Sequence, residues 1–496
     1  MSTSLTDTLV SRHTDLAARI LPQVELVVGS QRRETGSEKS FHHVNPSTGL
    51  VQAEVPMAGV GDVDDAVAAA RVALGCWRNM RPADRRDVLF TFAQLIRDYD
   101  RWQPIQVLEN GMPAQYAASF AQLAYDWTSY YATWTDKLGG EVASSNDTDG
   151  FVYTLSEPYG VVAVIITWNA PLLSLAMKLP AALAAGNTVV LKPAEFTPFT
   201  AMVFVELARQ AGIPDGVINV VTGGPEAGEA LVRHPGVDKI SFTGGPPTAR
   251  AIMRGAADHL TPLLFELGGK GANIVFEDAD LDEALPFSCM FAMANSGQGC
   301  ALPTRLLVAR SVYDDALGRV EAITNAITIG DPLDAGNYIG PLINAAALER
   351  VQGMVNTAIA QGSGRLLVGG KRAGGELADG YFMMPTVFAD VDPMSELAQQ
   401  EVFGPVLSVI PFDTEDEAVT IANGTPYGLT NYVQTRDDRR IKRVVAQLRS
   451  GTVGVNTGTC TTHFAPFGGN GISGFGREGG KAGIDEFVRV KTVLQR

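Results

Sequence analysis

The strongest constraint on the fold is an alternation of short apolar runs and helical stretches that begins near residue 160. Each run reads as a buried strand, and the stretch after it has apolar residues at helical spacing. Such alternation predicts parallel strands connected by crossover helices in a doubly wound α/β sheet. The predicted strands are Val161–Ile166, Thr188–Leu191, Val217–Val221 and Lys239–Phe242, and the predicted helices are Leu172–Ala185, Thr200–Ala211 and Ala227–Arg233.

A second strand and helix series is predicted to begin with the strands Ala272–Phe276 and Leu306–Arg310. With 496 residues, the chain is long enough for two or three domains. Residues 1 to about 60 are predicted to be irregular with short strands. Further helices are predicted at Asp62–Trp77, Arg85–Tyr99 and Ala114–Leu138.

Two segments have the pattern of strands outside these series. A polar turn cluster, Ser144–Gly150, separates two strand candidates within Gly139–Pro158 and predicts a hairpin. The hairpin either reaches a partner subunit or is a simple surface feature, and the sequence leaves both open. The tail Ile484–Arg496 alternates well enough for an added edge strand.

Charge and cysteine content argue against several functions. The net charge of −15 disfavours binding to nucleic acid or to an anionic membrane. There is no signal-peptide pattern, and no run approaches the roughly 18 apolar residues of a membrane helix. The spacing of the four cysteines, Cys76, Cys289, Cys300 and Cys460, is not that of a metal site or a disulfide framework. We therefore expect no metal site, and we expect the protein to be in a reducing, cytoplasmic compartment.

Three residues form a candidate catalytic set. Cys300 lies in the glycine-rich run Asn295–Cys300, and Glu266 and Asn169 lie upstream. A thiol, a carboxylate and a side-chain amide can attack a carbonyl, activate water and hold an oxyanion. Taken singly, each residue has a simpler interpretation without a catalytic role. Cys300 would be a small buried hydrophobic residue, Glu266 a solvated carboxylate and Asn169 a turn residue. Their combination indicates an active site.

Three segments that follow predicted strands are suited to a nucleotide. They are Lys192–Glu195, Thr222–Gly228 and Thr243–Gly245. Ligands bind at the carboxyl ends of parallel strands, where a Lys and Glu suit a ribose and a glycine turn suits a pyrophosphate. The Gly-x-Gly-x-x-Gly fingerprint is absent from these turns. Taken alone, Lys192 and Glu195 are more simply an exposed loop pair.

A series of short motifs runs in order along nearly the whole chain. They are Glu157–Val162, Trp168–Pro171, Gly186–Glu195, Phe242–Gly245, Glu266–Lys270, Gly297–Cys300, Glu401–Pro405, Pro466–Gly469 and Ser473–Glu478. In sequence and order they resemble the motifs of the aldehyde dehydrogenase superfamily of the hydrolytic, NAD(P)-dependent type, and the chain is identified as a member.

The resemblance implies two doubly wound parallel-sheet domains and a small oligomerisation arm. The NAD-binding domain, which is Rossmann-like, would comprise residues 1–138 and 159–267. The catalytic domain would comprise residues 268–470. Residues 139–158 and 471–496 would form oligomerisation or bridging segments, in a homodimer or a homotetramer.

The resemblance also implies catalytic roles. Cys300 would attack the aldehyde carbon as a thiolate, and the Asn169 amide with the Cys300 N–H would hold the oxyanion. Glu266 would activate the water that hydrolyses the thioester, and Glu478 would help to remove the proton. Lys178 matches a lysine on the helix after the asparagine, with a solvated helix lysine as the equal alternative.

NAD is the implied cofactor, and NADP use is left open. Lys192 and Glu195 match contacts to the adenosine ribose, where the carboxylate would repel the 2′-phosphate of NADP. Glu401 and Phe403 match the residues that hold the nicotinamide ribose and ring. The other predicted cofactor residues are Thr167, Trp168, Pro193, Ala194, Gly224, Gly228, Phe242, Thr243, Gly244, Gly245, Leu267 and Gly268.

The chain departs from the common family pattern at several positions. Thr167 stands where a proline is common, and Ala170 where an aromatic residue is common. Met177 stands in place of a tryptophan, Ala249 of a glycine and Gly471 of a lysine. No departure removes a catalytic group, but Ala249 and Gly471 leave cofactor affinity and loop geometry open.

The predicted substrate pocket is apolar and roomy. It comprises Ala170, Met177, Gly299, Ala301 and Phe464, with Leu302 near them in the motifs. The expected substrate is therefore a bulky apolar aldehyde, aromatic or terpenoid. The alternatives are a coenzyme A-acylating enzyme, a semialdehyde dehydrogenase and a non-catalytic member of the fold.

Overall fold

The structure is a computed structural model that describes residues 5–143, 150–458 and 461–496. Its α-helices are α1 (Leu5–Ile20), α2 (Val60–Asn79), α3 (Pro82–Asp98), α4 (Trp102–Asn110), α5 (Ala114–Ala132), α6 (Pro171–Ala184), α7 (Pro198–Gln210), α8 (Pro225–Arg233), α9 (Pro246–Ala256), α10 (Leu281–Met293), α11 (Tyr313–Asn325), α12 (Ala345–Gln361), α13 (Glu396–Gln399), α14 (Glu415–Asn423), α15 (Asp438–Gln447) and α16 (Gly480–Asp485). Its β-strands are β1 (Leu26–Val28), β2 (Gln31–Arg33), β3 (Glu38–Val44), β4 (Val51–Met57), β5 (Val142–Ala143), β6 (Phe151–Pro158), β7 (Val161–Ile165), β8 (Thr188–Lys192), β9 (Ile218–Val220), β10 (Lys239–Gly244), β11 (Leu263–Leu267), β12 (Ala272–Val275), β13 (Arg305–Ala309), β14 (Arg365–Val368), β15 (Thr386–Ala389), β16 (Val406–Phe412), β17 (Thr430–Gln434), β18 (Thr452–Val455), β19 (Gly474–Phe475) and β20 (Val488–Gln495).

The first sheet has the strand order β19-β11-β10-β7-β8-β9-β1-β2. Its five central strands, β11 to β9 in that order, are parallel, and the edge pairings are antiparallel. β7 and β8 are buried along their whole length, as expected for apolar strands covered by helices on both faces. The predicted doubly wound α/β sheet is confirmed.

Chain order places a crevice in this sheet. From β7 the chain proceeds outward through β8 to β9, then returns to β10 and β11 on the other side. The direction therefore reverses between β7 and β10, where the crossover helices diverge. In parallel sheets, such a switch point at the carboxyl ends of the strands is the usual ligand site.

The second sheet has the order β14-β15-β16-β13-β12-β17-β18. All of its neighbouring strands are parallel except the antiparallel pair β14 and β15. The predicted strands that begin this series are confirmed as β12 and β13. Because β11 of the first sheet is followed along the chain by β12 of the second sheet, the residues between Leu267 and Ala272 connect the two sheets.

A smaller sheet has the order β20-β6-β5, all antiparallel. The pairing of β5 with β6 confirms the predicted hairpin, although Ser144–Asp149 lie outside the described residues. The predicted edge strand in the tail is confirmed as β20, which pairs with β6 along its full length. Within residues 471–496, β19 pairs instead with β11 of the first sheet.

The prediction of an irregular N-terminus is wrong for α1. Its apolar face is hard to recognise because, among residues 9–20, whose side chains are described, the two buried ones are His13 and Ala17. Burial of that histidine depends on Asp331, 318 residues away, whose Oδ1 lies 2.9 Å from His13 Nε2. Helix α5 also ends at Ala132, before the predicted Leu138.

Among the described residues, none of the helices combines the length and the apolar composition that spanning a lipid bilayer requires.

Candidate active site

The loop after β7 carries the predicted oxyanion residue. Asn169 is buried between the end of β7 and the start of α6. Its Nδ2 donates to the Gln298 carbonyl at 2.9 Å, and its Oδ1 accepts from the Thr167 hydroxyl at 2.9 Å. The carboxyl edge of the first sheet is thereby connected to the segment that precedes Cys300.

Two asparagines hold the backbone of this loop. Asn110 Nδ2, at the end of α4, donates to the Trp168 carbonyl at 2.9 Å. Asn295 Nδ2 donates to the Asn169 carbonyl, also at 2.9 Å. Neither residue could be assigned this role from the sequence, because no local pattern signals a partner 58 or 126 residues away.

The segment before Cys300 has an uncommon backbone. Asn295 and Ser296 have φ values of 49° and 58°, in the left-handed region that costs energy for residues other than glycine. Buried side chains hold this turn: Ser296 Oγ donates to the Gly340 carbonyl at 2.9 Å, and Gln298 Oε1 accepts from Ile343 N at 2.9 Å. Such strain, fixed by surrounding contacts, is typical of functional loops.

Cys300 differs from the other cysteines that the structure describes. It is half-buried, and Gly269 packs so closely that a Cβ there would lie 2.4 Å from the Cys300 carbonyl oxygen. Cys289 is buried within α10, where burial raises the thiol pKa to about 12 and makes the reactive thiolate rare. Cys76 is exposed on α2, and Cys460 lies outside the described residues.

Glu266 lies in β11 with only 4 % of its surface exposed, so the alternative of a solvated carboxylate is wrong. Within the described part of the chain, neither of its carboxylate oxygens has a hydrogen-bond partner. Burial raises its pKa well above the usual range, and the nearby charge of Glu478 adds to the effect. A buried carboxylate without a partner is costly for folding and is therefore a candidate for a functional group.

Lys178 and Glu478 form a buried ion pair. Lys178 Nζ also lies 3.0 Å from Ser241 Oγ in β10, so the pair connects α6, the first sheet and the C-terminal segment. The alternative of a solvated helix lysine is wrong, because Lys178 is fully buried. The pair lies close enough to Glu266 to influence its ionisation.

A cavity of about 740 Å³ opens at the carboxyl edge of the first sheet. Gly224 and Gly245 precede α8 and α9 there, so the N-termini of two helices lie at the cavity. Pro225 opens α8 and Pro246 and Pro247 open α9, and none of the three carries an N–H, so the free backbone donors are those that follow these prolines. The predicted cofactor residues that line the cavity are Thr167, Trp168, Lys192, Ala194, Glu195, Gly224, Gly228, Phe242, Thr243, Gly244 and Gly245.

Lys192 is the charged residue at the end of β8. It is buried, and burial lowers the pKa of its amine. Gly228 lies beside this side chain, and a Cβ there would make an ordinary van der Waals contact, 3.6 Å from Lys192 Cε. The alternative of an exposed loop pair is therefore wrong for Lys192, while Glu195 is half-buried at the cavity.

Five predicted cofactor residues do not line this cavity: Pro193, Leu267, Gly268, Glu401 and Phe403. Glu401 Oε1 accepts from Gly269 N at 2.8 Å, and burial raises the Glu401 pKa to about 7. The Phe403 ring contacts the Trp168 ring edge-on, with centroids 5.4 Å apart. Glu401 and Phe403 thus lie beside the Trp168 loop and the connection between the sheets.

The unusual residues Ala249 and Gly471 have structural explanations. Ala249 lies in α9, where its side chain is buried in the apolar core and does not line the cavity. Gly471 has a φ of 62°, and a Cβ there would lie 2.5 Å from the Pro426 carbonyl oxygen. The turn at Gly471 therefore requires glycine, and Ala249 does not crowd the cavity.

Three of the five predicted substrate residues lie in or against one large apolar cluster. Met177 belongs to this cluster, which also contains Phe120 and Trp127, and Ala170, Cys300 and Ala301 pack against it. Phe464 is 63 % exposed and contacts the His463 ring. Gly299 lies against Leu302, whose Cγ would be 2.8 Å from a Cβ at that glycine.

These features define the class of protein. One doubly wound sheet has a nucleotide-sized cavity at its carboxyl edge, and a strained thiol-bearing loop meets that edge from the second sheet. That is the arrangement of an α/β enzyme that binds a nucleotide at the switch point of its sheet and carries a cysteine beside it.

Comparison with known proteins identifies the family. The model of the aldehyde dehydrogenase family matches residues 33–493. The chain is 40 % identical over 479 residues to human mitochondrial aldehyde dehydrogenase, covering 95 % of this chain and 91 % of that protein. It is 39 % identical over 462 residues to an aldehyde dehydrogenase of Emericella nidulans, covering 92 % of both chains. The chain belongs to the aldehyde dehydrogenase family.

Solved structures agree with this assignment. Betaine aldehyde dehydrogenase from Staphylococcus aureus, solved in complex with NAD⁺, superposes with a TM-score of 0.95 at 33 % identity. The match covers 98 % of this chain and 97 % of that one. The predicted fold and the enzyme class, an NAD(P)-dependent aldehyde dehydrogenase, are confirmed.

Proposed function

We propose that this enzyme oxidises an aldehyde to its carboxylic acid through a thioester on Cys300, with NAD as the hydride acceptor. The observation that carries the proposal is Glu266, a buried carboxylate without a hydrogen-bond partner among the described residues. It lies three residues before Gly269, which packs against the Cys300 carbonyl. The Asn169 loop bonds to the same thiol-bearing segment from the other side.

In the first step the Cys300 thiolate forms a bond to the aldehyde carbon, and the carbonyl π electrons move to the oxygen. The Asn169 amide and the Cys300 backbone N–H donate to that oxyanion. One such donor is worth about 3 kcal/mol of barrier. The strained turn before Cys300 keeps these donors in place before the substrate arrives.

The residues around the cavity fit a dinucleotide. The cavity is large enough, and the positive N-termini of α8 and α9 would favour the negative charge of a pyrophosphate. Glu195 would accept from ribose hydroxyls and would repel a 2′-phosphate, which favours NAD over NADP. Held there, NAD would supply the acceptor for the hydride that leaves the carbon attached to Cys300.

Glu266 then removes a proton from water, whose oxygen attacks the thioester carbon. The C–S bond breaks, the acid leaves, and Cys300 returns to the thiolate. The ion pair of Lys178 and Glu478 lies beside Glu266 and is positioned to receive the proton. The balanced reaction is aldehyde, NAD⁺ and water giving acid, NADH and a proton.

A bulky apolar aldehyde, aromatic or terpenoid, is the proposed substrate. Ala170 and Met177 are small or flexible side chains that adjoin the apolar cluster against which Cys300 packs. The alternatives are charged aldehydes, since the relatives include succinate-semialdehyde and betaine aldehyde dehydrogenases. Transfer of the acyl group to coenzyme A is disfavoured, because that reaction needs no base for water at the Glu266 position.

The domain division is proposed as residues 1–138 and 159–267 for NAD binding and 268–470 for catalysis. Residues 139–158 and 471–496 would form a homo-oligomer, dimer or tetramer, supported by the small sheet at β20, β6 and β5. A cytoplasmic location is proposed from the reducing conditions that a catalytic thiol requires.

The test is NADH formation over a panel of benzaldehyde-type, long-chain, betaine, semialdehyde and acetaldehyde substrates, with and without coenzyme A. The Cys300→Ala variant should lose all activity while still binding NAD. Cys289→Ala is the matched control and should retain activity, because that thiol is buried in α10. Turnover by Cys300→Ala would overturn the thiol mechanism, and the highest kcat/KM for acetaldehyde would overturn the proposed substrate class.

A further inference from the structure

The hydroxyl of Thr167 contacts the side-chain amide of Asn169. The orientation of that amide decides whether its NH₂ group can donate a hydrogen bond to a substrate oxygen. Thr167 Oγ1 lies 2.9 Å from Asn169 Oδ1. A hydroxyl facing the oxygen of an amide donates to it. Sequence comparison with the family pattern places a proline at this position in many members, and a proline side chain has no group that can donate.

The opposite end of the same amide is also fixed. Asn169 Nδ2 lies 2.9 Å from the Gln298 carbonyl oxygen, which can only accept. The amide therefore has its oxygen toward Thr167 and its nitrogen toward Gln298. An amide nitrogen carries two N–H groups, so the second N–H remains for the oxygen of a bound substrate.

We propose that Thr167 is a positioning residue that acts through Asn169 and sets its amide as an oxyanion donor; this inference rests on the proposed thioester mechanism. Two physical effects support it. Asn169 is buried, so removal of the Thr167 hydroxyl leaves its Oδ1 without that partner, and the amide rotates toward other hydrogen-bond donors. Donation to the amide oxygen also polarises the group, which strengthens donation by its nitrogen.

The alternative role of Thr167 is in cofactor binding, since it also lines the nucleotide cavity. The two roles differ in what they change. A positioning residue for the oxyanion donor changes kcat, because the oxyanion develops after both substrates are bound. A cofactor contact changes the KM for NAD.

The experiment compares Thr167→Val, which keeps the side-chain shape without the hydroxyl, with Thr167→Ser, which keeps the hydroxyl. The wild-type enzyme is measured first with the best aldehyde of the panel. Thr167→Val should lower kcat about fivefold to tenfold, with both KM values changed less than about twofold. Thr167→Ser should restore kcat to within about twofold of wild type.

A double-mutant cycle then tests whether Thr167 acts through Asn169. In an Asn169→Ala background, Thr167→Val should cause no further loss. Single-turnover NADH formation at high enzyme concentration gives the same comparison if steady-state turnover of Asn169→Ala is too slow.

The inference is overturned if Thr167→Val leaves kcat unchanged, alters only the KM for NAD, or keeps its full effect without Asn169. Thermal unfolding of each variant identifies a loss that comes from misfolding; a Thr167→Val protein with a lowered melting temperature and no rescue by serine also counts against it. Failure of the proposed function is separate, since it appears as a wild-type enzyme that oxidises no aldehyde or an active Cys300→Ala variant.

Discussion

At the scale of single residues, burial decides which side chains can do chemistry. Glu266 and Cys289 are both buried, and burial raises the pKa of each. For Cys289 the result is an inert thiol, because catalysis would need the ionised form. For Glu266 the raised pKa gives a stronger base that can still ionise as the pH rises.

The first prediction concerns the pH dependence of Glu266. Because burial and the charge of Glu478 raise its pKa, the ionised base becomes more abundant as pH increases. Where thioester hydrolysis limits turnover, kcat should therefore rise with pH through the raised pKa. Steady-state NADH formation at saturating substrate across the pH range measures this, and a kcat that falls over the same range would contradict it.

The same residue should separate the two halves of the reaction. Glu266→Gln should lower steady-state kcat about 100-fold or more, while the first turnover of NADH persists as a burst. Glu277→Gln, which removes an exposed carboxylate just beyond the carboxyl end of β12, is the control and should leave turnover unchanged. A Glu266→Gln enzyme with neither burst nor turnover would place Glu266 in the first step instead.

At the scale of elements, buried charges connect parts of the chain that hydrophobic patterning does not pair. Lys178 of α6 meets Glu478 of the C-terminal segment across 300 residues of sequence. Lys239 of β10 similarly contacts Glu486, with 2.8 Å between Nζ and Oε2. The helix and strand periods predicted α6 and β10 well, but they carry no information about these partners.

The second prediction is that breaking the Lys178–Glu478 pair destabilises the fold. Glu478→Gln should reduce the free energy of unfolding by about 3–5 kcal/mol, because it leaves the Lys178 charge buried without compensation. Adding Lys178→Met should recover much of the loss. Denaturant unfolding measures both, and an unchanged midpoint for the single variant would contradict the prediction.

A surface pair provides the matched control. Lys481 and Asp485 in α16 are 2.6 Å apart, and both side chains are largely exposed. Solvent screens such pairs, so Lys481→Met should change the free energy of unfolding by less than about 1 kcal/mol. The contrast between the two pairs isolates the effect of burial.

At the scale of the whole molecule, the small sheet presents apolar side chains to solvent. Val490 and Leu494 of β20 are each 71 % exposed. They lie on the same face of the strand, because side chains alternate between faces and an even number of positions separates the two. Val142 of β5 is 70 % exposed on the opposite face of the same sheet, because it is in register with Tyr153 and Val493. Apolar side chains in such a position favour the proposed contact between subunits.

The third prediction is that charge on this face dissociates the oligomer. The double substitution Val490→Asp and Leu494→Asp should shift the protein to a smaller species, because buried carboxylates would oppose association. Size-exclusion chromatography with light scattering measures the mass. Leu260→Asp, at a leucine that is 86 % exposed elsewhere, is the control and should leave the mass unchanged. An unchanged mass for the double variant would locate the contact elsewhere.

Local sequence patterns were enough to predict the two doubly wound sheets, and contiguous motifs were enough to identify the family and to name candidate site residues. Strand and helix periods are local properties, and motifs such as Glu266–Lys270 are contiguous, so both are readable in the chain. The same reasoning failed at α1, because His13 is buried through Asp331, a partner far along the sequence.

The residues that contact the candidate catalytic groups could be identified only from the folded structure. The bonds from Asn110 and Asn295 to the Trp168–Asn169 loop join residues far apart in sequence, and the Gln298 carbonyl that holds the Asn169 amide is also distant along the chain. The burial that raises the pKa of Glu266 is likewise a property of the folded interior, not of its neighbours in sequence. Hydrogen bonds and desolvation depend on distances in space, and a one-dimensional pattern specifies those distances only within an element.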